Sequence, residues 1–319
     1  MKPFKTLDEQ IAILHKCGLI IHDYKRTKQY LLTNNYYNVI NGYSKYFQLT
    51  NSDKYLQNAH FNEISNLYFF DSQIKSAFLD AILVAENHIK YIVAYKFAEK
   101  YCNEKYSFLN SNNYNQNNIL FVGSVISNFS KIIRDNTKPN SNDNPIKHYK
   151  DKYGDVPIWV IIEYLDFGGL LYFVRNLEES LINDICQVLL SFLSQFIRIY
   201  NQFTPKMLIS FMDNIRQVRN VCAHDSKLLD FKTKQNLVFY KDIHTPSGIK
   251  VTDKRTSVYD IYIILKCFLS EVEYKKLFNT ILKRIKYLDN KLDSISINVI
   301  LNSLGFPEDW HLSMVSQKQ

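Results

Sequence analysis

Residues 61–101 run without a proline or a glycine, and Ile64, Leu67, Phe70, Ile74, Phe78, Ile82, Ala85, Ile89 and Val93 recur along them every three or four positions. That spacing matches the turn of an α-helix, so one long helix is expected there. A helix of such length needs other helices to cover its apolar faces, as in a bundle. The remainder of the chain has little with which to build anything else: 8 glycines and 7 prolines in 319 residues leave few of the tight turns an all-β fold requires. The 46% hydrophobic content, with 14% of all residues aromatic, is ample for a core. The expected fold class is therefore all-α.

Composition also narrows the function. There is no G-x-G-x-x-G and no G-x-x-x-x-G-K, which argues against a dinucleotide or P-loop enzyme. With 39 Lys and Arg against 31 Asp and Glu, the formal charge of +8 suits a polyanionic partner such as nucleic acid. Lysine-rich composition alone gives the same balance. The five cysteines, Cys17, Cys102, Cys186, Cys222 and Cys267, are far apart and show no C-x-x-C spacing, as expected of reduced thiols in a cytoplasmic protein. No two histidines stand three to five residues apart, so no metal site and no cofactor is expected. The start "MKPFKTLDEQ" lacks the apolar core of a signal peptide, and the most apolar stretches, 157–174 and 261–269, are interrupted by Glu163, Asp166 and Lys266. No membrane span is expected.

The chain reads as one domain, 1–319, with an N-terminal helical region (1–60), a helical core (61–236) and a C-terminal part (237–319). Thr6 and Glu9 form a capping box for a first helix that Gly18 ends. In the tyrosine-rich stretch that follows, Leu31, Leu32, Tyr36, Tyr37, Ile40, Tyr43 and Phe47 recur at helical spacing with interruptions at "NNYY" and "NGY". Core packing is the commoner use of such a stripe, and base stacking the rarer one. Two asparagine-rich tracts, 110–118 and 135–145, read as exposed loops around a short helix at 119–134. Residues 237–258, with β-branched residues, "TPSG" and no sustained period, read as an irregular excursion or a small hairpin before the closing helices. Glu86 within the long helix is either paired and structural or faces a functional cleft.

The stretch "IRQVRNVCAHDSK" carries the chemistry. Thr204 caps a helix with Pro205 in its first position. On a helical wheel Met207, Leu208, Phe211, Ile215, Val218 and Cys222 form its packed face. Arg216, Asn220 and His224, four apart, form a ridge on the other side. Arg219 stands at the border of the apolar face, about 140° from His224. A fixed charge in that partly shielded position needs an acidic partner or a phosphate. Residue types alone leave two readings open: a half-exposed helix that His224 ends, which is the commoner arrangement, or a site.

"IRQVRNVCAHDSKLLDF" resembles the R-N-x-x-x-H signature of the HEPN superfamily. The stretch "KTLDEQIAILHKCGLIIHDYKRTKQYLLTNNYYNVINGYSKYF" resembles the N-terminal region of the Abi-like (AbiD/AbiF) abortive-infection proteins. "DVPIWVIIEYLDFGGLLYF" resembles their central P-x-W-x-x-x-E-x-x-x-F-G-x-L block, and "LGFPEDW" their C-terminal ending. The four blocks occur in the family's order along nearly the whole chain. The resemblance implies a HEPN-like helical bundle with extra helices at both ends, and a metal-independent endoribonuclease that acts as a phage-defence toxin. Carried over, Arg219, Asn220 and His224 are its motif residues, with Arg216 and Lys227 as RNA contacts and Glu86 as a supporting residue. It implies RNA as substrate, a non-coding RNA antitoxin in some members, and a homodimer. This chain holds one copy of the motif, so a composite site would need two protomers. Two other readings stay open: a non-catalytic RNA-binding module, and a HEPN partner of a nucleotidyltransferase.

Overall fold

The computed structural model describes residues 4–139, 142–224 and 226–313. Helix α1 (Leu7–Lys16) starts on the expected capping box, with the Thr6 amide donating to the Glu9 carboxylate at 2.7 Å, and the chain turns at Gly18 with φ of +96°. Helix α2 (Tyr24–Asn34) stops where the sequence reads "NNYY", because Asn35 adopts φ of +60°. A single wide turn, Tyr37–Asn41, then buries Val39 and Ile40.

The long helix is α3 (Phe61–Lys100), 40 residues or about 60 Å at 1.5 Å per residue. Around it lie α4 (Ile119–Asn136), α5 (Pro145–Tyr153), α6 (Ile158–Ile161), α7 (Phe167–Arg175) and α8 (Glu179–Leu193). The chain continues through α9 (Pro205–Ala223), α10 (Lys241–His244), α11 (Val258–Ile264), α12 (Glu271–Asp289), α13 (Ile297–Leu304) and α14 (Trp310–Ser313). Helix α3 packs against α12, α9, α6 and α8. Enclosed on several sides, it buries charged residues as well as apolar ones, and it pairs them along its own length: Asp71 with Lys75 at 3.6 Å and Glu86 with Lys90 at 3.1 Å. No strand occurs among the described residues, only isolated bridges. The fold is all-α.

One local expectation needs correction, and a second resolves to one of its two alternatives. The tract 110–118 is not a plain exposed loop. It is a series of tight helical turns in which Tyr114 is fully buried and its hydroxyl donates to the Phe108 carbonyl at 2.6 Å. Asn113, also buried, donates to Glu104 and to the Ser107 carbonyl, so asparagine amides here satisfy buried backbone groups. Of the second tract, Asn140 and Ser141 lie outside the described residues; Asn136 completes α4 and Asn144 caps α5. The excursion at 237–258 is irregular with the single turn α10 rather than a hairpin. The buried Arg255 replaces a strand ladder, donating to the carbonyls of Leu237, Lys250, Val251 and Asp253.

Candidate active site at the end of the motif helix

Helix α9 begins as its sequence requires: Thr204 accepts from the Met207 amide and Pro205 occupies the first turn. Leu208, Phe211, Ile215, Val218 and Cys222 are buried against α3, α7, α8 and α11, and Met207 is partly so. Two side chains on the helix hold the returning chain: the Gln217 carbonyl oxygen accepts from the Lys234 amide and the Ser210 hydroxyl from the Val238 amide. The motif is therefore carried on a helix fixed along its whole back.

The helix stops at Ala223. His224 leaves helical geometry at φ −105°, ψ 19°, and its amide donates to the Asn220 carbonyl at 3.1 Å. Beyond it, a buried carboxylate gathers the chain. Asp71 on α3 accepts from the amides of Leu228 and Leu229, each at 3.1 Å, and from the Tyr43 hydroxyl at 2.8 Å. Burial pushes its carboxyl up, against the pull of Tyr43, of Lys75 and of the two amides. One step on, Asp230 sits at φ of +62° and receives Lys45 at 2.6 Å, the Tyr46 hydroxyl at 2.5 Å and Lys227 at 3.3 Å. Burial raises its carboxyl, but the hydrogen bonds from Lys45 and Tyr46 outweigh that and hold it below the usual range. His224 is thus an exposed residue between a packed helix and a clamped loop.

Arg219 and Asn220 are half-buried and His224 is exposed. None of the three side chains makes a hydrogen bond or ion pair with a described residue, and the Arg219 Nε is sealed from solvent without a partner. This departs from the general rule that buried polar groups are satisfied. Arg216 behaves differently: its Nη2 donates to Asp213 at 2.9 Å, and Arg175 of α7 stands 3.7 Å from the other oxygen of the same carboxylate. Lys227 is half-buried, with its ammonium on the Gly42 carbonyl and Asp230 and over the rings of Tyr43 and Tyr46. Desolvation and the nearby Lys45 lower its pKa.

Glu86 is not brought to this end. It is buried beside Lys90, and no hydrogen bond or ion pair joins it to Arg219. Cys222, the last residue but one of α9, lies instead near Asp71 and Lys75, and Lys75 is about 16 Å along α3 from Glu86. Burial pushes the Cys222 thiol up to about 12, so it offers no thiolate nucleophile. The described residues include no group of three His, Cys, Asp or Glu side chains placed to share a metal ion, and no helix long and apolar enough to cross a membrane. Sequence reading missed Asp213, Arg175, Asp71 and Asp230. Of these only Asp213 left a local signal, an acid three residues before Arg216 on the same helix.

A family model described as Abi-like protein matches residues 29–230, from within α2 through α9 to the clamped Asp230. The chain belongs to the Abi-like protein family. The matched segment takes in the central block and the R-N-x-x-x-H motif, while "LGFPEDW" lies beyond it. No curated protein and no solved structure matches the chain.

Proposed function

We propose that this Abi-like protein is a metal-independent endoribonuclease that acts in abortive infection, cutting RNA through a composite site made by two copies of Arg219, Asn220 and His224 across a homodimer axis. The observation that carries the reading is the partnerless set at the end of α9. A guanidinium with a sealed, unbonded Nε, an amide and an imidazole make no side-chain hydrogen bond or ion pair with any described residue. Donors held ready in a partly dry position suit a charge that arrives with a ligand.

RNA brings its own nucleophile. One imidazole takes the proton from the 2′-hydroxyl and the oxygen attacks the adjacent phosphorus. The bond from phosphorus to the 5′-oxygen breaks, and a second imidazole gives that oxygen a proton. The products are a 2′,3′-cyclic phosphate and a 5′-hydroxyl. One chain supplies one motif histidine, so the opposite roles fall to the two copies of His224 in a dimer. Arg219 neutralises the charge that grows on the phosphorane. Asn220, one turn before His224, orients the imidazole or the RNA. Arg216 contacts a neighbouring phosphate, and Lys227 anchors the loop after His224 while adding to the local positive field. A non-coding RNA as antitoxin is compatible with the net charge.

Expression in a bacterial host with sequencing of RNA ends tests this. Wild type arrests growth and produces cyclic-phosphate ends, whereas His224→Ala and Arg219→Ala grow and leave RNA intact. Equal toxicity of the variants, or RNA ends unchanged by wild type, would sink the nuclease.

A further inference from the structure

Outside the motif itself, one arrangement on the same helix has unspent charge. Asp213 carries two guanidiniums, Arg216 from its own helix at 2.9 Å and Arg175 from the end of α7 at 3.7 Å. The carboxylate is nearly covered, 13% exposed, whereas Arg216 and Arg175 remain 35% and 42% exposed. One carboxylate neutralises one of the two cations, so the cluster keeps a net positive charge. At 3.7 Å Arg175 is ion-paired with Asp213 without a hydrogen bond, and no described residue takes its donors, which leaves them for another acceptor. Arg216 is also positioned by packing. Its stem lies across Gly168 of the "DFGGL" turn, where an added Cβ would stand 3.9 Å from its Cδ. On the wheel Asp213, Asn220 and His224 fall on one stripe of α9, with Asp213 about 10 Å along the axis from Asn220 and about 16 Å from His224.

We propose that Arg175 and Arg216, held by Asp213, form a second phosphate clamp that seats the RNA strand two to three nucleotides away from the scissile bond. The inference rests on the ribonuclease reading above and assigns Arg175 as a positioning residue for it. Arg219 meets the reacting phosphate, and the Asp213 cluster meets a phosphate further along the same strand. Two planar guanidiniums with free donors suit a phosphodiester better than a point charge would. The clamp carries no base recognition, so it acts on every sequence alike.

Binding measured on the full chain in the His224→Ala background, where RNA stays intact, tests it. A 12-nucleotide and a 3-nucleotide RNA are titrated across a range of salt concentrations. With Arg175→Gln the affinity for the longer RNA falls about five- to tenfold and the salt slope drops by about one, while the short RNA binds as before. Arg175→Lys recovers part of the loss. An equal loss on both lengths, or an unchanged slope with a lowered melting temperature, makes the cluster a scaffold contact only and overturns the clamp while leaving the nuclease reading intact. If the protein with Arg175 present binds neither RNA, the ribonuclease reading falls and the clamp with it.

Discussion

Replacing Arg219 with Met separates stability from activity in a way the geometry dictates. Methionine follows the arginine stem as far as the position of Nε, so the apolar part is preserved, while the charge and the sealed Nε donor are removed. A buried donor without a partner costs about 1–3 kcal/mol, and since the residue is only half-buried the lower end applies, about 1 kcal/mol. For a chain of 319 residues that raises the melting temperature by about 2 °C. Cleavage falls by about 10²–10³-fold, the usual cost of losing one donor aimed at transition-state charge. Both quantities are read on one preparation, by calorimetry and by cutting of an end-labelled RNA. A non-cleavable 2′-O-methyl RNA at a hundred times its Kd stabilises wild type by about 2.7 kcal/mol, and the variant by less. A variant that melts several degrees lower and still cuts would refute the reasoning, because Arg219 would then be holding the fold rather than waiting for a phosphate.

Two further predictions concern the scaffold. Gly305 has φ of +82°, and a Cβ there would lie 2.3 Å from the Cβ of Ser257, the residue that caps α11; Gly305→Ala is expected to cost about 3 kcal/mol or more in chemical denaturation. His244 is fully buried, accepts from the Tyr240 amide at 2.9 Å, and has its pKa lowered from 6.5 to about 4 by burial. The unfolded chain therefore takes up that proton first. The stabilisation is complete above pH 6.5 and is lost as pH falls toward 4, to a total of about 3 kcal/mol. Denaturation midpoints measured across that window should fall in wild type and stay nearly flat for His244→Phe. A variant with the wild-type slope would place the acid sensitivity elsewhere.

What could be read from the sequence follows physical range. The long α3 and the motif helix α9 were legible because their apolar spacing and their caps are local, set within a turn or two of each residue. The border position of Arg219 was legible for the same reason, as was its need for a counter-charge. That no described residue supplies one is a tertiary fact. Asp71 reaches the Leu228 amide across 157 positions, and Arg175 meets Asp213 from another helix; neither contact leaves a period. Tyr114 shows the opposite failure: asparagines pointed to an exposed loop, yet a buried ring turned the segment into bonded tight turns. For 237–258 the β-branched residues left an irregular excursion or a hairpin open, and the buried Arg255 guanidinium, which left no local signal, settles it as irregular. Glu86 sat on the right helix, but α3 is long enough to carry it away from the motif end.

The most direct measurement uses one RNA oligonucleotide with a mapped cut, and the same oligonucleotide with a single 2′-deoxy sugar immediately 5′ to the broken bond, both incubated with wild-type protein in EDTA. Attack by the RNA's own hydroxyl, driven by Arg219 and His224, predicts that the first is cut to a 2′,3′-cyclic phosphate and the second survives at that position. Equal cutting of the two, or cutting that EDTA abolishes, would contradict the account.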